Sequence, residues 1–176
     1  MFRVRFIGQC TASVWHGAWR LVLILSLAGI GGCVTPVNRL PEFKPAASRK
    51  AVVRVGNVEG RAAFEAVFAR SAKSAGAIDL YKGGPAPVLR LRVLPDGRGF
   101  AQGPQKEVWS GQRLFAPAPL KPLLAMAAVY VDEEKLPEGS REVHTQDIRI
   151  AVDVSGGALR AISAASATSV ATAVFD

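Results

Sequence analysis

Residue types that carry chemistry are scarce in most of this chain. Its two cysteines, Cys10 and Cys33, both lie near the amino terminus, and His144 is the only histidine after His16. No disulfide can therefore cross-link the body of the protein, which must be stabilised by burial alone. Zinc and iron sites of the usual His and Cys composition are also excluded there, and no HExxH or CxxC spacing occurs. The sequence predicts neither a metal nor another cofactor.

Acidic residues are fewer than basic ones, with 14 Asp and Glu against 22 Lys and Arg and a net charge of +8. Three of the basic residues, Arg3, Arg5 and Arg20, lie in 1–32, where no acid occurs, so 33–176 has 19 basic and 14 acidic residues. This excess is modest. Aromatic residues do not alternate with Lys and Arg as they do in many RNA-binding surfaces, so no nucleic-acid partner is predicted.

Long apolar runs are absent, and the longest candidate is the twelve-residue stretch 21–32. As a helix it would rise only about 18 Å, less than the roughly 30 Å hydrocarbon core of a bilayer. A basic stretch ending at Arg20 precedes it and Cys33 follows it. This order is typical of a signal peptide, which we predict for residues 1–32.

The end of this segment, Ile30-Gly31-Gly32-Cys33, resembles the lipobox of bacterial lipoproteins: an aliphatic residue, two small residues and a cysteine. The resemblance covers the signal region only. It implies that a diacylglyceryl group is attached to the thiol of Cys33 and that a peptidase cleaves between Gly32 and Cys33. Val34, in place of an aspartate, implies sorting to the outer membrane, with the protein facing the periplasm. The resemblance therefore also implies that the protein is attached to a membrane, through the acyl chains of this diacylglyceryl group.

Residues 33–50 are predicted to be the lipidated cysteine and a flexible tether, because 34–50 contains Pro36, Pro41 and Pro45 and no periodicity. Fully extended, such a tether reaches about 55 Å. Residues 51–176 are then predicted to form a single periplasmic domain.

Three segments of this domain have strong strand patterns. Residues 51–55 are rich in valine, and Ile and Val alternate with other residues over 148–154. In 88–94, the alternation predicts Leu89, Leu91 and Val93 on the core face and Arg90 and Arg92 on the opposite face.

Two segments favour helices. Over 59–75, Phe64, Val67 and Phe68 fall at i, i+3 and i+4, and Gly76 could cap the helix. The Ala-rich residues 158–176 suggest a second helix, with a strand at 168–175 as the alternative.

The remaining segments are weaker. Strands are predicted at 105–109 and 112–116, joined at residues 110–111, and 123–131 is predicted as a strand rather than a helix; 132–142 is an acidic loop. Together the elements predict an α+β, two-layer domain: a mostly antiparallel sheet with one or two helices packed on one face.

Catalytic motifs are missing from the domain. A Ser-His-Asp triad would require His144, a serine and Asp147 or Asp153, and no Gly-x-Ser-x-Gly turn presents a serine. No catalytic residue is predicted, and a hydrolase is the least favoured hypothesis.

Besides the lipidation site at Cys33, the sequence offers one further candidate site, a face for an anionic ligand. Arg90 and Arg92 share a strand face, and Arg54 would neighbour them if the first strand paired with theirs. The alternative is a solvent-exposed face whose charges protect the sheet, or Arg stems packed under a helix.

The leading hypothesis is a non-enzymatic, lipid-anchored periplasmic accessory protein, which assists the assembly or transport of another envelope component. The alternative is direct binding of an anionic glycolipid or peptidoglycan through Arg54, Arg90 and Arg92.

Overall fold

The computed structural model describes residues 39–58, 60–145 and 147–176; the predicted signal peptide, Gly32 and Cys33 lie outside this part of the chain. The described residues form ten strands, one α-helix and two short 3-10 helices. The strands are β1 Ala47–Asn57, β2 Gly60–Arg70, β3 Gly76–Tyr81, β4 Pro87–Val93, β5 Arg98–Gln102, β6 Val108–Gln112, β7 Gly139–Thr145, β8 Ile148–Ser155, β9 Ala158–Ala165 and β10 Ser169–Phe175. The helix, α1, is Lys121–Val131, and the 3-10 helices are Arg113–Phe115 and Glu133–Lys135.

All ten strands belong to one antiparallel sheet in the order β6-β5-β4-β3-β2-β1-β10-β9-β8-β7. Two meanders, β1 to β6 and β7 to β10, meet where β1 pairs with β10, with Val53 opposite Ala173. The predicted mostly antiparallel sheet is confirmed, and the helical part of the fold is smaller than predicted.

The helix α1 packs on one face of this sheet, here called the inner face; the opposite face is the outer face. Strands as far apart as β4 and β8 both contact α1. Six strand spacings separate them, about 29 Å at about 4.8 Å each, whereas eleven helical residues measure only about 16 Å. The sheet therefore curves around the helix. No helix in the described ranges is long and apolar enough to span a membrane.

The prediction of a strand at 123–131 is wrong, because this segment belongs to α1. Pro122 stands in the first turn, where a missing N–H costs nothing, and the Leu, Ala and Met residues that follow favour a helix. Leu124, Met126 and Tyr130 are all buried. Because the sheet curves around α1, the helix is apolar on nearly every side. Its sequence therefore lacks the periodicity of a helix with one apolar face.

Three aromatic rings from distant parts of the chain form the centre of the core. The ring of Phe68 on β2 lies 5.4 Å from that of Tyr130 on α1 and 4.9 Å from that of Phe175 on β10. The rings of Tyr130 and Phe175 stack at 5.8 Å. These contacts hold the helix against both meanders.

The predicted helix at 59–75 is also wrong, since residues 60–70 form β2. Phe64, Ala66 and Phe68 alternate onto the inner face, and the positions i and i+4 fit a strand as well as a helix. Gly76 is the first residue of β3 rather than a helix cap. A Cβ atom there would clash with the carbonyl oxygen of Ala127, so the glycine permits the close approach of α1.

The Ala-rich segment 158–176 contains no helix. It forms β9 and β10, joined by a turn in which the Ser166 N–H donates to Ser169 O. The strand alternative for 168–175 is confirmed, and the helix is wrong because pairing with β1 and β8 overrides alanine's preference for helix.

The strongest alternations were predicted correctly. In β4, Leu91 and Val93 are buried on the inner face, with Arg90 and Arg92 on the outer face, and β8 places Ile148, Val152 and Val154 in the core. The strands predicted at 105–109 and 112–116 are wrong: residues 103–107 form a connection, β6 spans residues 108–112, and a 3-10 helix follows it. Residues 110–111 lie within β6 rather than in a turn.

The sheet begins at Ala47, so four residues assigned to the tether belong to β1. The described residues before it also contact the domain. The Ala46 N–H donates to Arg70 O, and Phe43 lies over the guanidinium of Arg92 at 5.1 Å. The predicted boundary at residue 50 is therefore too late.

Candidate functional site

The three arginines of the predicted anionic-ligand face share the outer face but do not form one cluster. Arg54 is on β1, whereas Arg90 and Arg92 are on β4, and β1 pairs with β2 and β10 rather than with β4. Three strand spacings separate the two strands, about 14 Å. Arg90 is level with Lys50, which is four residues along β1 from Arg54, so the two arginines are also offset by about 13 Å along the strand direction. The expected cluster of Arg54, Arg90 and Arg92 is therefore wrong.

Arg92 is occupied by interactions within the domain. Its Nη1 lies 2.6 Å from Oδ1 of Asp79, and its Nη2 lies 3.4 Å from Oδ2. The ring of Phe43 covers its guanidinium, and the side chain is only 12% exposed. Arg92 thus attaches the segment before β1 to the sheet and is not available to a ligand.

Arg54 has a different neighbour that the sequence analysis missed. Arg61 on β2 pairs with Gly56, and Arg54 pairs with Ala63, so the two arginines are diagonal neighbours on the outer face. Neither forms an ion pair with a described residue. The spacing of Gly56 and Gly60 allows a hairpin, and this hairpin would have predicted that Arg54 and Arg61 are neighbours. The helix predicted from residue 59 is incompatible with such a hairpin.

A shallow groove of about 400 Å³ lies between these two arginines. Gly56 leaves space beside Val170, whose Cγ1 would be 3.4 Å from a Cβ at residue 56. Thr172 also lines the groove, and its hydroxyl lies 3.3 Å from that of Ser163. Two guanidinium groups beside an apolar floor suit an anionic group attached to an apolar one.

A second polar cluster lies at the end of α1. Glu133, which follows the helix, approaches two arginines of the sheet: Arg49 on β1 at 3.9 Å and Arg70 on β2 at 3.8 Å. Arg70 also pairs with Glu134. Arg49 donates to the carbonyl oxygen of Leu159 at 2.9 Å. The partners of these charges all lie within the fold, so the cluster joins the helix end to the sheet.

Burial raises the pKa values of two groups in and beside this second cluster, Tyr130 and Glu133. Burial raises the pKa of Tyr130 to about 12, and the nearby carboxylate of Glu133 contributes in the same direction. The hydroxyl of Tyr130 has no hydrogen-bond partner among the described residues. Burial also raises the pKa of Glu133, against the opposing effect of Arg49 and Arg70.

His144 lies on β7, and its side chain is 71% exposed. Its Nε2 is 2.9 Å from Oε1 of Glu142. Asp147 pairs instead with Lys121, and Asp153 accepts a hydrogen bond from Ser140. Ser140 is four residues along β7 from His144, about 13 Å away. The hypothetical triad is therefore not assembled by these residues.

No group of three or more His, Cys, Asp and Glu side chains in residues 39–58, 60–145 and 147–176 is arranged to hold a metal ion. The predicted lipidation site and the cleavage position between Gly32 and Cys33 lie outside these ranges.

The most exposed large aromatic side chain of the described chain is Phe115, at 82%, beside Leu114 in the connection between β6 and α1. Pro117 and Pro119 follow in the sequence and restrict this connection. The edge strand β7 is exposed along its whole length, but it carries Arg141, Glu142 and His144, charges and polar groups of the kind that discourage pairing with another strand.

Comparison of the chain with protein-family models and with curated proteins finds no match.

Proposed function

We propose that this protein is a lipid-anchored accessory protein of the bacterial cell envelope, which binds another envelope protein and assists its assembly or transport. The anchor is proposed at Cys33, in the lipobox-like sequence Ile30-Gly31-Gly32-Cys33, and the location is the periplasmic face of the outer membrane. Binding rather than catalysis is the proposed activity.

The observation that carries the binding proposal is the exposure of Phe115. An aromatic side chain that is 82% exposed gains little from its own fold, whereas buried aromatic anchors commonly dominate protein interfaces. The prolines on its carboxyl side restrict the backbone, so ordering the segment on binding costs less conformational entropy. Leu114, 43% exposed, extends the apolar surface.

Two ionic clusters elsewhere in the domain are occupied by interactions within the fold. The groups around Glu133 pair with one another, and Arg92 pairs with Asp79. Such pairs contribute to the fold, whereas the side chains of Leu114 and Phe115 are exposed and form the proposed protein-binding surface.

The anchor is tested by the intact mass and membrane fractionation of the full chain expressed in a Gram-negative host, beside Cys33→Ala. We expect the wild type to lose residues 1–32, gain acyl mass and sediment with the outer membrane, and the variant to do none of these. Retention of residues 1–32 by both would contradict the anchor.

The binding surface is tested in the same cells with a photo-crosslinking amino acid in place of Phe115. Its matched control is the same substitution at Val143, which is 52% exposed on β7. We expect one discrete crosslinked partner from position 115, absent from position 143 and lost in Cys33→Ala. Equal crosslinking from both positions would overturn the proposed surface.

A further inference from the structure

The chain reaches the domain across its outer face. Phe43 lies over Arg92, which points outward from β4, and Ala46 is hydrogen-bonded to the end of β2. Phe43 is the tenth residue after Cys33, a distance of at most about 36 Å for an extended chain. An acyl group on Cys33 would therefore keep the domain within about this distance of the bilayer, with the connecting chain leaving from the outer face.

The part of the outer face formed by β1, β2 and β10 has an excess of positive charge. Lys50, Arg54 and Arg61 lie on this surface, here called the β1–β2–β10 surface; Glu65 is the one acid on it within the described strands, and Asp176 follows the end of β10 near Lys50. The three strands are adjacent in the sheet, with β1 in the centre. A net positive surface of this kind is attracted to anionic lipids.

Apolar side chains stand between these cations. Val52 pairs directly with Val174, and Val170 lines the groove between Arg54 and Arg61. The three valines are between 39% and 45% exposed. Cationic groups around exposed aliphatic side chains match the boundary between lipid headgroups and acyl chains.

We propose that the β1–β2–β10 surface lies against the membrane and that the groove between Arg54 and Arg61 holds the phosphate of an anionic phospholipid. This inference rests on the lipid anchor proposed above. The two guanidinium groups neutralise the phosphate, and Val170 and Val174 contact the adjoining apolar part of the lipid. An anionic protein docked on the same arginines is the competing outcome of the test.

The test uses the full chain, purified with its lipid from a Gram-negative host and reconstituted into vesicles. Spin labels are attached to Val170→Cys or, as a control of similar exposure facing the other side of the sheet, Val143→Cys. Contact with lipid is measured by the collision rate with oxygen dissolved in the bilayer. Vesicles of phosphatidylglycerol with phosphatidylcholine are compared with vesicles of phosphatidylcholine alone.

We expect contact at position 170 in the anionic vesicles, much less in the neutral ones, and none at position 143. The ratio of docked to undocked protein should fall about fivefold for each arginine in Arg54→Ser and Arg61→Ser, the effect of one basic residue at an anionic membrane surface. Glu65→Gln should increase the ratio, and Arg90→Ser, which is remote from the groove, should leave it within about twofold.

Equal contact at positions 170 and 143, or no effect of the two arginine substitutions, would overturn the proposed orientation. Absence of contact in anionic vesicles would do the same, and would favour a protein ligand at these arginines. The intact mass separates the two proposals: an acylated protein without contact at position 170 contradicts the orientation alone, whereas an unacylated protein contradicts the anchor.

Discussion

The two faces of the sheet are built from the same strands but differ in what fills them. On the inner face, Phe68, Leu91 and Ile162 are fully buried against α1 and its neighbours. On the outer face, the alternate residues of the same strands include Arg54, Glu65 and the partly exposed valines. Since side chains alternate along a strand, one set of residues can specify the core while the other carries charge and a groove.

The outer face is itself divided. Ala77 on β3, Phe100 on β5 and Ser110 on β6 are buried in one cross-strand row with Arg92, where Phe43 lies. Around Arg54 and Arg61, the surface is open. The difference shows that the outer residues of one sheet differ in burial, and that Phe43 covers the outer face at Arg92.

The largest expected effect is at the inner face. Phe68→Ala removes a fully buried ring that contacts Tyr130 and Phe175, and should lower the free energy of unfolding by about 3–5 kcal/mol. Phe115→Ala, at an exposed ring, should change it by less than about 0.5 kcal/mol. Urea unfolding followed by circular dichroism measures both; similar losses in the two variants would contradict the assignment of core and surface.

A smaller effect is expected where the outer face is covered. Arg92→Ala leaves Asp79 without its partner and should lower the free energy of unfolding by about 2 kcal/mol. The neighbour Arg90, exposed and unpaired among the described residues, provides the control, with an expected change within about 0.5 kcal/mol for Arg90→Ala. Limited proteolysis before β1 should also accelerate in Arg92→Ala only. Equal behaviour of the two variants would show that the Phe43–Arg92–Asp79 contact is not stabilising.

A smaller effect than that of Arg92→Ala is expected at neutral pH inside the core, at the Tyr130 hydroxyl. Tyr130→Phe should change the free energy of unfolding by less than about 1 kcal/mol, because the hydroxyl has no hydrogen-bond partner in the described chain. The pKa of the phenol is 10.0 when unperturbed and about 12 in the fold. Below pH 10 both states hold the proton. Between pH 10 and 12 the unfolded state loses it first, so stability falls as pH rises.

That alkaline loss should be smaller in Tyr130→Phe, measured by urea unfolding across the same pH range. Parallel curves for the variant and the wild type would show that Tyr130 ionises equally in both states.

The sequence predicted well those elements whose own side chains alternate strongly. In β4 and β8, apolar residues at every second position require one buried face, and no other part of the chain is needed to predict it. It predicted poorly the segments whose local preference and tertiary environment disagree. Alanine favours a helix in β2 and β9, but both strands are paired on each side, which supplies backbone hydrogen bonds along their length.

The candidate site shows the same limit. The spacing of Arg90 and Arg92 placed them correctly on one outer face, but their distance from Arg54 depends on β2 and β3 lying between β1 and β4. The approach of Arg61 to Arg54 depends on the hairpin between β1 and β2. Strand order and register arise from contacts that are distant in the sequence, so periodicity alone could not predict either result.

By itself, the sequence determined the mostly antiparallel class of the fold, the inward and outward residues of its clearest strands and the lipobox-like motif on which the anchor is proposed. Only the tertiary structure decided that 123–131 belongs to an α-helix and that Arg54 neighbours Arg61. The physical reason is that alternation is encoded residue by residue, whereas a buried helix and a cross-strand pair are specified by the surfaces that surround them.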